Sequence, residues 1–230
     1  MQMVILCGGL ATRLGNLVKD VPKSMIQINN KPFLEYQIEK LKKHSIKDIV
    51  LCVGHLSEQI ENYFGNGKKF GVNILYSYDK EKPLGPIGAL KNAEPMLEDI
   101  FFIMYGDSYL NVDFQKIYSY FIRQNKLGLM AVFKNFNKYD KSNLIVKNNM
   151  IIGYGEKERT QDMIYIDYGT SIIQKKALNL VPKNTFYSTG QFFSSLISKK
   201  ELLAFEVKER FYHIGNPNAL REFKNFIKTQ

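Results

Sequence analysis

Between residues 2 and 133 the chain alternates short, fully apolar runs with segments of helical period, and that rhythm restricts its fold more than any other feature. Apolar runs at 2–7, 49–53, 74–78, 100–105 and 129–133 predict buried strands; the short run 26–28 predicts a further extended piece. Between them, helices are predicted from Pro32 to about residue 44, from a cap at Ser57 to about 64, over 87–97 and over 114–125. In the first of these, Phe33, Leu34, Ile38 and Leu41 share one face, with Lys40, Lys42 and Lys43 opposite. Strands continuous in hydrophobicity and separated by helices build right-handed βαβ units, so the expected sheet is mostly parallel and covered on both faces.

Beyond residue 133 the rhythm changes. Strands at 144–146, 150–152 and 164–173 follow one another without helices, and Asn148-Asn149 suits a hairpin turn. Ser188-Thr189-Gly190-Gln191 has the capping-box spacing for a helix to 198; a strand at 203–207 and a helix over 217–227 follow. Without a repeat, linker or low-complexity tract, residues 1–230 are expected to form a single α/β domain whose C-terminal half is more antiparallel.

Composition narrows the partners. The chain is 45% hydrophobic and 23% charged, which describes a globular protein. No apolar stretch approaches the roughly 18 residues that would span a bilayer. The opening apolar run is short and meets glycines directly, so no signal peptide, no membrane association and a cytoplasmic location are expected. The net charge of +10 suits anionic partners. The lysines are scattered without a basic arm, and no nucleic acid is expected. Cys7 and Cys52 lack metal or CxxC spacing and read as reduced core thiols. Three histidines give no zinc cluster.

In open α/β sheets, ligands bind beyond the carboxyl ends of the strands. The first such end is Leu6-Cys7-Gly8-Gly9-Leu10-Ala11-Thr12-Arg13-Leu14. Its glycines allow backbone N–H groups close to phosphate, Thr12 adds a hydroxyl, and Arg13 adds a planar bidentate cation. Pro22-Lys23 places an ammonium within reach of the same loop. The residues alone also admit an ordinary glycine turn with both cations solvated. Asp107, directly after the most apolar strand, suits a metal or a turn cap.

Gly8-Gly9-Leu10-Ala11-Thr12-Arg13-Leu14, Pro22-Lys23-Ser24-Met25 and Asn30-Lys31-Pro32-Phe33-Leu34 together resemble the sugar-1-phosphate nucleotidyltransferases, whose opening runs GGxGTRL, PKxM and Lys-Pro. Within that family the chain looks closest to the heptose- and mannose-1-phosphate guanylyltransferases. The resemblance implies a Rossmann-like fold with a smaller antiparallel sugar-binding part in the C-terminal half. It also implies that Leu6, Gly8, Gly9, Thr12 and Arg13 hold the nucleotide, and that Arg13, Lys23 and Asp107 are catalytic. Leu84-Gly85-Pro86-Ile87-Gly88-Ala89 is similar to the family's PLGTGGA loop, so Gly85 and Gly88 would border the base. Pro86 stands where Thr is usual and removes a backbone donor.

Gly106-Asp107-Ser108-Tyr109 is similar to the family's GDxx segment, whose Asp binds Mg²⁺, and Tyr109 falls among the implied sugar-phosphate contacts. On the acceptor side, Glu156-Lys157 and Asp167-Tyr168-Gly169 match a Glu-Lys pair and an Asn-x-Gly segment. Lys157 would take the acceptor phosphate, with Glu156, Asp167 and Gly169 on the sugar. Locally, Glu156–Arg159 also reads as a solvated charge run. His213 stands where a second Mg²⁺ carboxylate is usual; an imidazole is a poor magnesium ligand, which leaves a softer metal, a phosphate contact or packing for it.

The implied reaction joins a nucleoside triphosphate, GTP favoured, to a sugar 1-phosphate and releases pyrophosphate. Rival readings are a nucleotide-sugar-dependent glycosyltransferase, which would want a second aspartate after Asp107, and a non-catalytic nucleotide-sugar-binding sensor or assembly subunit, suggested by Pro86 and His213. A homo-oligomer is compatible with the sequence but not encoded in any motif.

Overall fold

The computed structural model describes residues 1–9, 14, 20–79, 83–155 and 159–230. The first part of the chain runs β1 (Gln2–Leu6), β2 (Gln27–Ile28), β3 (Lys31–Pro32), α1 (Phe33–Lys43), β4 (Asp48–Val53), α2 (Ser57–Phe64), β5 (Asn73–Tyr78), α3 (Gly85–Asn92) and β6 (Ile100–Tyr105). It continues with β7 (Ser108–Tyr109), α4 (Phe114–Phe121), β8 (Gly128–Lys134), β9 (Leu144–Lys147), β10 (Met150–Tyr154), β11 (Tyr165–Gln174), α5 (Thr189–Ser198), β12 (Leu202–Val207), β13 (Tyr212–His213) and α6 (Pro217–Lys228).

Nine strands form one sheet in the order β5-β4-β1-β6-β11-β8-β12-β10-β9. The N-terminal strands β5, β4, β1 and β6 are mutually parallel. β11 then enters antiparallel between β6 and β8, β12 pairs parallel with β8, and β10 and β9 close the edge antiparallel. The sheet is therefore mixed as a whole, with the parallel portion where strands and helices alternate in sequence.

Strand pleating explains the core. Met3 and Ile5 of β1 and Phe102 and Met104 of β6 pack with Leu34 and Ile38 of α1, Ile60 of α2 and Ile117 of α4. The intervening Val4, Phe101 and Ile103 face the other way, onto Leu90 of α3 and Phe193 of α5. Both sides of each strand are thus buried, as their unbroken apolar sequences require. The amphipathic α6 docks Leu220 and Phe223 against Phe33 and Ile28.

Several boundaries differ from the sequence-based expectation. Pro32 lies before the helix, in extended conformation (φ −63°, ψ 146°), because it pairs with Gln27 in the small β2–β3 ladder. Leu56, in the left-handed region at φ 59°, occupies the cap position before α2, and Ser57 is already helical. Helix α3 stops at Asn92, and the segment around Pro95 tightens into a 3₁₀ turn, Glu94–Met96. Helix α4 ends at Phe121, four residues short of the expected end at 125, and the chain turns toward β8. The Asn148-Asn149 hairpin (φ 51° and 57°) and the Ser188/Gln191 capping box are as expected.

Candidate active site

A cavity of about 760 Å³ opens at the carboxyl ends of β1, β4 and β6, and residues from β11 and from the loop after β5 complete it. Leu6, Gly8, Gly9, Lys23, Gly85, Asp107, Asp167, Gly169 and His213 all line it. These are most of the residues singled out in the sequence. Thr12, Arg13, Glu156 and Lys157 lie outside the described residues.

Asp107 is held by its backbone from three directions. Gly106 donates its N–H to Leu6 O at 3.0 Å, and Ile214 donates to Asp107 O at 2.9 Å. Gln37, reaching from α1, donates through Nε2 to Tyr105 O at 2.9 Å and Ser108 O at 2.7 Å. The pairing of β13 with β7 sets His213 opposite Ser108. The Asp107 carboxylate forms a salt bridge with Lys23, whose side chain is 15% exposed against 26% for Asp107. Burial alone would raise the Asp107 pKa. The Lys23 charge and hydrogen bond, helped by His213 and the Ser108 hydroxyl, outweigh it and hold the carboxyl below its ordinary value. Lys23 reaches this point because Pro22 leads into a 3₁₀ turn, Lys23–Met25.

At the far wall, β11 is interrupted. Its pairing with β8 shifts register between Asp167 and Ser171, around Gly169 at φ 98°. A side chain at Gly169 would stand 2.9 Å from Ser108 Oγ, so glycine serves both the left-handed backbone and the close approach. The break turns Asp167 into the cavity, where it accepts from Tyr105 Oη at 2.8 Å and from Gly169 N–H at 2.8 Å. Burial dominates its environment and pushes its pKa up to about 6 despite those bonds.

Two sequence assignments change. Tyr109 does not line the cavity: its ring packs on Phe223 and Phe226 of α6, at centroid distances of 5.1 and 6.0 Å, and helps to anchor that helix. Gly88 also stands back from the cavity. Its N–H and that of Ile87 donate to Tyr187 O, at 3.3 and 3.1 Å, so they are spent on joining α3 to the segment before α5. His213 lines the cavity beside Asp107; its Nδ1 accepts from Gly215 N–H at 3.1 Å, and Nε2 faces Asp140 at 3.8 Å. Pro86 fits within the first turn of α3, where an N–H has no helical partner in any case.

Sequence reasoning overlooked Gln37, Asp79 and Tyr105. Gln37 is 2% exposed despite sitting in a helix rich in lysine, and one buried polar residue at core spacing was its available signal. Asp79 opens a charged stretch that reads as solvated surface, yet it lines the cavity directly after β5.

For magnesium, Asp107 offers the right donor chemistry, a half-buried carboxylate facing the cavity. Among the described residues no cluster of three or more potential ligands exists. Magnesium commonly takes one or two protein carboxylates and completes its shell with substrate phosphates and water, and Asp107 suits the protein's share of that arrangement.

The nucleotidyl transferase family matches residues 2–230. The D-glycero-alpha-D-manno-heptose 1-phosphate guanylyltransferase of Campylobacter jejuni is 32% identical over 225 residues, covering 97% of this chain and 98% of that one. The protein of the same name from Aneurinibacillus thermoaerophilus is 32% identical over 234 residues, covering 99% and 100%. The crystal structure of HddC from Yersinia pseudotuberculosis complexed with GMP-PN superposes with a TM-score of 0.82 at 26% identity, covering 98% of this chain and 99% of that one. Among the described residues, no helix is long and apolar enough to cross a membrane.

Proposed function

This chain belongs to the nucleotidyl transferase family, and we propose that it transfers GMP from GTP to a manno-configured sugar 1-phosphate, D-glycero-D-manno-heptose 1-phosphate before mannose 1-phosphate, releasing pyrophosphate. The observation that carries this reading is end-to-end similarity to two heptose 1-phosphate guanylyltransferases in a chain whose Lys23–Asp107 pair lines the cavity at the strand ends. The product would be an activated sugar for a cytoplasmic surface-polysaccharide route, capsule or lipopolysaccharide.

A sugar phosphate has its second pKa near about 6, so its oxygen is already a nucleophile at neutral pH. The protein need only align that oxygen with the α-phosphorus and neutralise charge. Lys23 supplies a cation that exchanges its Asp107 partner for phosphate oxygens when the triphosphate enters. Asp107 would hold Mg²⁺, which supplies further neutralisation of the triphosphate. Arg13 and Lys157 are assigned to the nucleotide and acceptor phosphates. Asp167, oriented by Tyr105 and Gly169, would accept from sugar hydroxyls. The sensor alternative loses its motive, since Pro86 fits a helix start and the His213 ring is engaged within the fold.

The test is pyrophosphate release from ATP, CTP, GTP and UTP against heptose, mannose and glucose 1-phosphates, with Mg²⁺ present and absent. Turnover is expected with GTP and a manno-configured acceptor. Turnover confined to CTP or UTP removes the guanylyl assignment, and nucleotide binding without turnover removes the catalytic one.

A further inference from the structure

We infer that the carboxylate of Asp79 reads the base: it accepts the adjacent N1–H and N2–H donors of guanine and so sets nucleotide specificity. This rests on the GTP reading above and names the group that would enforce it.

The Gly88 amide, assigned to the base by the sequence resemblance, is bonded to Tyr187 O. At the same end of the cavity, Asp79 follows β5, with its backbone N–H bonded to Val53 O at 2.9 Å. Its Oδ2 lies 3.4 and 3.3 Å from where side chains would stand on Gly8 and Gly54, just beyond the ends of β1 and β4. The two glycines thus let the ends of β1 and β4 pack closely on each other and on the Asp79 carboxylate, which lines the cavity wall at this point. Leu84 donates its backbone N–H to that carboxylate, which ties it to the Leu84-Gly85 turn. Beside Gly85 stands Phe186, 59% exposed and lining the same cavity, an apolar ring suited to a planar heterocycle.

Chemistry then selects the base. A carboxylate only accepts hydrogen bonds. Guanine presents two neighbouring donors on its Watson–Crick edge, a bidentate match. Adenine and cytosine each offer one donor beside an acceptor, and uracil and thymine offer one donor between two acceptors, which an anion repels. The partial burial of Asp79 raises its pKa, with Leu84 N–H only partly offsetting it; a carboxylate so placed gains from two more donors.

The experiment measures kcat/KM for GTP and ITP, which differ only in the 2-amino group, on the wild-type protein and on Asp79→Asn, with XTP as a third nucleotide. Wild type is expected to prefer GTP over ITP by about 10- to 100-fold, the range for a hydrogen bond to a charged acceptor. In Asp79→Asn that ratio should fall to within about threefold, and XTP should become a substrate, because an amide donor faces the 2-oxo group. XTP turnover by the variant also shows that it is folded. A wild-type GTP/ITP ratio near one overturns the inference without any variant, and so does an Asn variant that keeps the ratio and rejects XTP. In both cases the GTP reading stands. A wild type that turns over UTP or CTP but not GTP overturns both, and absence of all turnover with retained guanosine-over-inosine binding supports the base contact while removing the catalytic reading.

Discussion

Replacing Asp167 with Asn is expected to stabilise the free protein at neutral pH and to do nothing of the kind in acid. The Asp167 pKa stands at about 6, against 3.8 for the free side chain, because burial disfavours its charge. A raised carboxyl pKa means the folded state binds the proton more tightly than the unfolded chain does. Ionisation therefore costs the fold stability, progressively from about pH 4 to about pH 6 and fully above that. A shift of about two units at 1.4 kcal/mol each amounts to about 2–3 kcal/mol. Asn removes the charge and can keep both neighbours: its oxygen accepts from Gly169 N–H, and its amide donates to the Tyr105 oxygen. In a chain of this size the gain corresponds to about 5–10 °C in Tm. Thermal melts of both proteins without ligand, from pH 4 to pH 8, test it. The difference should be largest above pH 7 and fall below about 1 kcal/mol near pH 4. A difference independent of pH, or an Asn variant less stable at pH 8, refutes the account of Asp167 as a charge held against its own burial. The same variant should raise the KM for the sugar phosphate if Asp167 meets the acceptor.

Lys23→Ala should lower both turnover and stability, because it leaves Asp107 half-buried without its partner; about 1–3 kcal/mol is expected in urea titrations at pH 7.5. Since Lys23 holds the Asp107 pKa down, the stabilisation is present above the ordinary carboxyl pKa and lost as pH falls, so wild type and variant should converge in acid. Gly88→Ala would put a methyl 2.6 Å from Thr185 O; a loss of about 1–3 kcal/mol by thermal melt is expected, and an unchanged Tm refutes the packing role. Cys7, whose thiol burial pushes up to about 12, and Cys52, also raised by burial, should react with a thiol reagent at pH 7.5 only as fast as the protein unfolds. Rapid labelling of the native protein would contradict their burial.

The parallel half was legible because strands covered on both faces cannot hide: β1, β4 and β6 are apolar at nearly every position. Asp107 was legible for the complementary reason, as a carboxylate set directly after such a strand. Side-chain function inside helices and charged stretches was not. Gln37 and Asp79 carry ordinary surface residue types, and only the tertiary path of α1 and β5 turns them inward. Gly88 and Tyr109 erred in the opposite direction. A motif can preserve a residue's place in the chain while its atoms are committed to packing, and local sequence does not separate the two.

The antiparallel insertion of β11 is what makes one cavity serve two substrates. Strands β1, β4, β5 and β6 all run toward the same sheet edge, and a fifth parallel strand would have brought only its last residues there. β11 runs the other way, with Thr170 opposite Met104 and Gln174 opposite Ile100. Its residues before Thr170 therefore extend past the carboxyl end of β6, and the break at Gly169 turns Asp167 inward from that extension. Along the edge the order of strands becomes an order of chemistry: Asp79 and Gly54 at β5 and β4, Gly8 at β1, Asp107 with Lys23 at β6, and Asp167 at β11. The base would lie at one end, the sugar at the other, and the phosphates between them, beside Lys23. Among the described residues, Asp107 is the one of these three carboxylates with a paired lysine and a lowered pKa, as a place among phosphates would require, while Asp79 and Asp167 keep raised pKa values.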